Sequence, residues 1–269
     1  MTTTGTPAPF DDIVTPLAIS TGHFELDIPD GWQQGPSTFG GLVLSGMTRA
    51  MEATVSSERT LRSLNAELCG PVPAGQAALR VEALRTGSAV STVACRLIQN
   101  GEVQVNAVGV FGKARTPDPD RLTLAAPRRS DWRTLAPFVP EPSWPRFTSM
   151  FEYRVSAFPP WGGGSEARAE GWVRLKNPGT RRDAAFAIAC IDSWWPALFA
   201  VEREFRPMAT VAFAFHPCGT LEGLDPEVPL LYRASAPVIR EGYSTEFREL
   251  WGEDGRLVAM NQQTFVILK

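Results

Sequence analysis

Asp192 stands inside an apolar stretch, Ala189-Cys-Ile-Asp192-Ser-Trp-Trp-Pro196. An ionised carboxylate is costly to bury without partners. Burial also raises its pKa, toward the range useful to a general base. Pro196 cannot donate to the carbonyl of Asp192, so a helix running through this stretch must break or kink. The same residues also fit an N-cap for a short helix beginning at Ser193, and local sequence leaves both readings open. Gln263 follows Gly255 by eight residues, and alternation groups it with Leu257, Ala259, Asn261, Phe265 and Ile267, with Gln262 on the opposite face. A neutral amide there can donate to an oxygen and accept from a water without ionising; the alternative is a polar residue on the solvent side. Gly40 and Gly41 open a helix, where free N–H groups can bind a developing oxyanion. Close packing would account for glycine there equally well.

Other chemical signals are weak. His216 ends a strand beside Pro217 and reads as structural rather than as a base, and His23 has no assigned role. Two distant histidines and the scattered Cys69, Cys95, Cys190 and Cys218 offer no metal-ligand spacing. No Gly-x-Ser-x-Gly elbow is present. Trp161-Gly-Gly-Gly-Ser165 reads as a flexible loop, since no Gly-Lys-Ser/Thr follows it. Trp194-Trp195 and the Phe213/Phe215 pair read as core. The expectation is therefore of chemistry without metal or cofactor.

The elements that must position these residues repeat. Leu84 to Ala107 reads as two strands about Asn100-Gly101, and Ile239 to Ala259 as two strands about Asp254-Gly255, pairs suited to tight hairpins. Upstream of each hairpin a strand ends in Cys-Gly, at Cys69-Gly70 and Cys218-Gly219, and upstream again lies a helical stretch. The first helix begins near Ser37 or Thr38, either of which could cap it, and presents Val43, Gly46, Met47, Ala50, Met51 and Thr54 at helical spacing. The second, from about Asp183 to Phe199, is apolar all round over Ala184–Ile191 and is expected to be buried on every side. Two antiparallel sheets, each wrapped around one helix, make an α+β double hotdog: an N-terminal unit over 1–115, a proline-rich linker over 116–147, and a C-terminal unit over 148–269. Another α+β sandwich is the alternative. The two-residue turns speak against an all-parallel α/β fold, since strands so joined must be antiparallel.

Composition agrees with a large core. Of 269 residues 43% are hydrophobic, while 26 Lys+Arg against 29 Asp+Glu leave a net charge of −3, which gives no footprint for nucleic acid. No apolar run approaches the roughly 20 residues of a membrane span. The N-terminus lacks the pattern of a signal peptide and reads as a frayed tail, and the cysteines read as free thiols in a reducing cytoplasm. Sheet edges usually pair or are covered, which suggests a homodimer or a higher homo-oligomer.

The chain resembles the type II acyl-CoA thioesterase family, whose members are double hotdogs. The resemblance rests on Phe39-Gly40-Gly41, Arg59-Thr-Leu-Arg-Ser-Leu-Asn-Ala-Glu-Leu68 followed by Gly70-Pro71, Leu84-Arg-Thr-Gly87, Ile98-Gln-Asn-Gly101, Ala189-Cys-Ile-Asp192, and Asp254-Gly-Arg-Leu-Val-Ala259 ahead of Gln262-Gln263. It implies hydrolysis of an acyl-CoA thioester by a water held between Asp192, Gln263 and a hydroxyl residue, which Thr210 resembles. It also implies a place in fatty-acid metabolism. Counting along the repeat puts Gly109 opposite Gln263 and Leu61 opposite Thr210, so only the later copy carries the polar groups and one site is expected. A non-catalytic acyl-CoA-binding or assembly protein is the alternative, kept open by a spacing after Thr210 shorter than in the best-known members. A hotdog hydratase or dehydratase is less favoured, since it needs a histidine paired with a carboxylate.

Overall fold

The computed structural model describes residues 8–115, 124–225 and 227–268. The expected frayed tail over 1–7 and the first part of the linker, 116–123, lie outside them. A short helix α1 (Phe10–Ile13) precedes strands β1 (Leu17–Ser20) and β2 (His23–Ile28), a small hairpin of β3 (Gln33–Gln34) and β4 (Ser37–Thr38), and helix α2 (Gly40–Glu52). Strands β5 (Arg59–Leu68), β6 (Gly75–Thr86), β7 (Val90–Gln99) and β8 (Glu102–Lys113) complete the first half. The second half holds β9 (Phe151–Ala157), β10 (Arg168–Leu175), α3 (Ala184–Asp192), β11 (Met208–Pro217), β12 (Leu230–Arg240), β13 (Tyr243–Trp251) and β14 (Leu257–Ile267).

Twelve of these strands form one antiparallel sheet in the order β1-β2-β6-β7-β8-β5-β11-β14-β13-β12-β10-β9. The second six mirror the first six, and the halves join where β5 pairs with β11 over Ala212↔Glu67 to Phe215↔Leu64. The sheet wraps around α2 and α3, which pack on each other, making the double hotdog that the repeat predicts. Every residue of α2 from Gly41 to Met51 is buried, as is α3 from Ala185 to Ile191. Gly46 permits the close approach of α2, since a β-carbon there would stand 2.7 Å from a methyl of Leu26 on β2. Ser45 locks the helix pair by donating to the Ala185 carbonyl at 2.7 Å. At the far end of the pair, the buried Arg49 of α2 binds Asp11 of α1 at 2.8 Å and Asp183, the N-cap of α3, at 3.1 Å.

Four expectations change. Neither Ser37 nor Thr38 caps α2: both belong to the small hairpin, and Phe39 stands at the cap position without a side-chain hydrogen bond. The second helix stops at Asp192 rather than near Phe199, because Pro196 interrupts it and a 3-10 turn, Ala197–Ala200, follows. Of the two predicted turns, Asn100-Gly101 is a tight two-residue turn, with both residues at positive φ. The Asp254-Gly255 connection is longer, with five residues between the ladder partners Trp251 and Leu257 and Gly255 alone at positive φ. Trp161-Gly-Gly-Gly-Ser165 is packed rather than loose: Trp161 lies 4.4 Å from the Phe199 ring and Gly164 donates to the Ala200 carbonyl. The described part of the linker also packs on the second half. Phe138 donates its N–H to Tyr153 of β9, and Trp132 lies against Trp172, Leu231 and Trp251.

Candidate active site

Asp192 is the last residue of α3 and its carboxylate faces the start of α2 in the other half. It is therefore not the N-cap of a following helix. A β-carbon on Gly40 would sit 3.1 Å from Asp192 Oδ2, and the Gly41 N–H is near enough to draw the carboxyl's pKa down. The missing cap of α2 is thus supplied by an anion from the other half, at the positive end of the helix dipole. Burial pushes the Asp192 carboxyl above the ordinary aspartate range, while the Arg248 charge, the Gln263 amide and the Gly41 N–H each pull it back. The side chain keeps 11% of its exposure, so one edge remains open to a small molecule.

Gln263 lies on β14 with its side chain inward and 1% exposed. Its Nε2 donates to Asp192 Oδ1 at 2.7 Å and to Asn261 Oδ1 at 3.0 Å. Its Oε1 accepts from the Thr210 hydroxyl at 3.0 Å. Asn261 in turn donates to the Ala214 carbonyl at 2.7 Å. This chain of donors fixes which end of the Gln263 amide faces the aspartate. The fold therefore brings Asp192, Gln263, Thr210, Gly40 and Gly41 to one place, where the two helices meet the seam of the sheet.

Two site residues escaped the sequence reading. Arg248 on β13, its side chain 1% exposed, approaches Asp192 Oδ1 at 3.3 Å and donates to the Ile191 carbonyl at 3.1 Å. Its Nε is bound at 2.7 Å to Glu246, which also accepts from the Ala197 N–H at 2.6 Å. Burial raises the Glu246 carboxyl, against the pull of Arg248 and the Ala197 N–H. Tyr232 reaches Glu246 at 3.5 Å and stacks on Trp194, so Trp194 serves the core around the site. Trp195 continues that aromatic core onto Phe138 and Trp144. Phe213 and Phe215 are buried core residues, and His216 is exposed.

The sheet ladders identify what replaces this site in the first half. Leu61 opposes Phe111 as Thr210 opposes Phe265, each pair next to a bulge, and Gly109 opposes Leu64 as Gln263 opposes Phe213. Val93 and Cys95 oppose Gly109 and Ala107 on β8, as Glu246 and Arg248 oppose Gln263 and Asn261 on β14. Each strand residue of the second-half cluster thus has a small or apolar counterpart. A β-carbon on Gly109 would meet Phe111 at 2.7 Å and the Met51 sulfur at 3.3 Å, so that space is filled by hydrocarbon and thioether. Among the described residues no group of His, Cys, Asp and Glu side chains could hold a metal ion, and all four cysteines are unpaired. No helix among them is long and apolar enough to cross a membrane.

A one-chain double hotdog with a polar cluster where the end of one helix meets the start of the other defines the class. Family models agree with it: the acyl-CoA thioesterase N-terminal domain matches residues 28–112 and the C-terminal domain matches 119–267. The chain belongs to the acyl-CoA thioesterase family. No curated protein matches it. Among solved structures it is similar to a hotdog-fold protein of unknown function from Alicyclobacillus acidocaldarius, at 21% identity over 97% of this chain and 98% of that one, with a TM-score of 0.86. It is also similar to acyl-CoA thioesterase II TesB2 from Mycobacterium marinum, at 18% identity over 96% and 98% with a TM-score of 0.75. The tesB protein of Mycobacterium avium subsp. paratuberculosis gives 14% identity over 97% and 98% with a TM-score of 0.78. At these identities the structural likeness shows the fold.

Proposed function

We propose that the protein hydrolyses an acyl-CoA thioester to a carboxylic acid and free coenzyme A, with Asp192 as the general base. The observation that carries this reading is a carboxylate with one oxygen tied down and the other aimed at glycine. Asp192 Oδ1 is held by Gln263 and Arg248, whereas Oδ2 faces the space that a side chain at position 40 would fill. A water bound there gives its proton to Oδ2 as its oxygen attacks the thioester carbonyl carbon. Gln263 and Thr210 hold that water and the aspartate in register. The first-turn N–H of Gly40 stabilises the oxyanion as it forms, while that of Gly41 is drawn to Asp192. The C–S bond then breaks, and Asp192 returns the proton to the leaving thiolate. None of these steps calls for a metal or a cofactor. The same reading places the enzyme in the cytoplasm and in fatty-acid metabolism, as a homodimer or higher homo-oligomer, with no nucleic-acid or membrane partner.

Asp192→Asn keeps the size and the hydrogen bond from Gln263 but removes the base. Thiol release from a panel of short, long and aromatic acyl-CoA thioesters should fall by about 10²–10⁴-fold in this variant while the melting curve keeps its shape. Wild-type-like turnover by Asp192→Asn would refute the assignment. Tight acyl-CoA binding without hydrolysis by the unaltered protein across the panel would favour the non-catalytic reading instead.

A further inference from the structure

The buried pair Arg248–Glu246 has no charged counterpart in the first half. At the matching ladder positions the first half carries Cys95 and Val93, both fully buried, and its sheet and helix are built on the same plan. Removing two charges from water is expensive, and a well-packed apolar pair is often as stable or more so. The ions in the second half therefore call for a role beyond filling the core. Their geometry shows what they reach. Arg248 spans from Glu246 to the end of α3, touching both the Ile191 carbonyl and Asp192 Oδ1, with its guanidinium between the Tyr232 and Phe265 rings at 5.8 and 5.4 Å.

We infer that Arg248, locked in place by Glu246, is a positioning residue that keeps the Asp192 carboxylate ionised and its Oδ2 turned toward the Gly40 side. The inference rests on the hydrolase reading above. Without that cation the upward push of burial on the Asp192 carboxyl would meet less opposition, and a protonated carboxyl can accept no proton from water. The groups around it leave Arg248 alone in this role. From α2 come only the Gly40–Gly41 backbone, from β11 the Thr210 hydroxyl, and from β14 the Gln263 and Asn261 amides. The remaining titratable neighbours are Cys190 on α3, Tyr153 on β9 and Tyr232 on β12, each raised by burial and neutral near pH 7. Among the described residues Glu246, the other partner of Arg248, is the one further acid here, and as a like charge it would oppose ionisation of Asp192.

Three variants test this, each read by the pH profile of kcat/KM and by the ¹³C shift of the Asp192 carboxyl, assigned by its loss in Asp192→Asn. In the double variant Glu246→Gln/Arg248→Met, neutral at both positions, the acid limb should move up by roughly 1–3 pH units, with activity recovering at high pH. Arg248→Lys keeps the charge and should move the limb by less than the double variant does. Glu246→Gln alone removes the opposing charge and should move it down. The carboxyl titration should follow in each case. A uniform loss of activity with unmoved limb and unmoved carboxyl titration would overturn the proposal, as would a limb displaced upward in Glu246→Gln. If the double variant does not fold, the opposite shifts expected for Arg248→Lys and Glu246→Gln still decide. If the unaltered protein cleaves no thioester, the hydrolase reading fails, while the carboxyl titration still shows whether Arg248 sets the Asp192 charge.

Discussion

Replacing Gly40 by alanine should separate activity from stability. The added methyl carbon would stand 3.1 Å from Asp192 Oδ2 and 3.7 Å from a Leu68 methyl, so it meets the carboxylate before anything else. Gly40 is the first residue of α2 and does not have positive φ, so the backbone accepts alanine. Alanine is better than glycine in a helix by about 1 kcal/mol. The tight contact with Oδ2 costs a comparable amount, so the two nearly offset. At about 2–4 °C per kcal/mol for a chain of this size, the melting temperature should move by no more than about 4 °C. Activity should respond very differently. The methyl occupies the one approach to Asp192 that its other partners leave open, and the loss of a placed base is about 10²–10⁴-fold in kcat. Melting curves by circular dichroism, together with thiol release from the best acyl-CoA of the panel, measure both. Turnover within a few-fold of the unaltered protein would show that no water reacts on the Gly40 side of Asp192. A collapse in melting temperature would show that Gly40 is present for packing alone.

Two further predictions concern the opposite end of the helix pair. Arg49→Met leaves the buried Asp11 without its cation, while the half-buried Asp183 keeps Arg181 at 2.9 Å; the loss at Asp11 should cost about 3–5 kcal/mol and be visible as a fall in denaturation midpoint, and an unchanged midpoint would show the network to be idle. Glu52, raised to about 7 by burial first and then by Asp183, holds a proton in the folded chain that the unfolded chain has already released. Stability from this residue is therefore complete below about pH 4.5 and declines as pH climbs to 7. Glu52→Gln should match the unaltered protein at pH 4.5 and exceed it at pH 8, by at most about 3 kcal/mol. Parallel stability profiles across that range would contradict the sign.

The architecture was legible because duplication left its punctuation in the chain: two Cys-Gly strand ends, two hairpins, two helical stretches. Asp192 could be found because a carboxylate before a proline in an apolar helix is costly, and Gln263 because strand alternation placed it among Ala259, Asn261 and Phe265. Thr210 carried no local signal and was visible only through the family resemblance. Arg248 and Glu246 were missed because Ser244-Thr-Glu-Phe-Arg248-Glu-Leu alternates charged with apolar residues, as a strand with its charged side in water would. The structure turns that face inward: Phe247 is 46% exposed and Arg248 is 2%. The repeat held the correcting signal, since buried Val93 and Cys95 occupy the matching positions. Counting back from the hairpin glycines misses it by one residue, because the Asp254-Gly255 connection is longer than Asn100-Gly101.

The seam between β5 and β11 makes two unlike halves into one continuous body. Two identical subunits related by a twofold axis cannot carry an arginine on one side of the axis and a cysteine on the other. Covalent joining removes that restriction. One helix can offer its amino end to an anion while the other supplies the anion, and the vacated twin position can close up as hydrocarbon that holds the working side rigid.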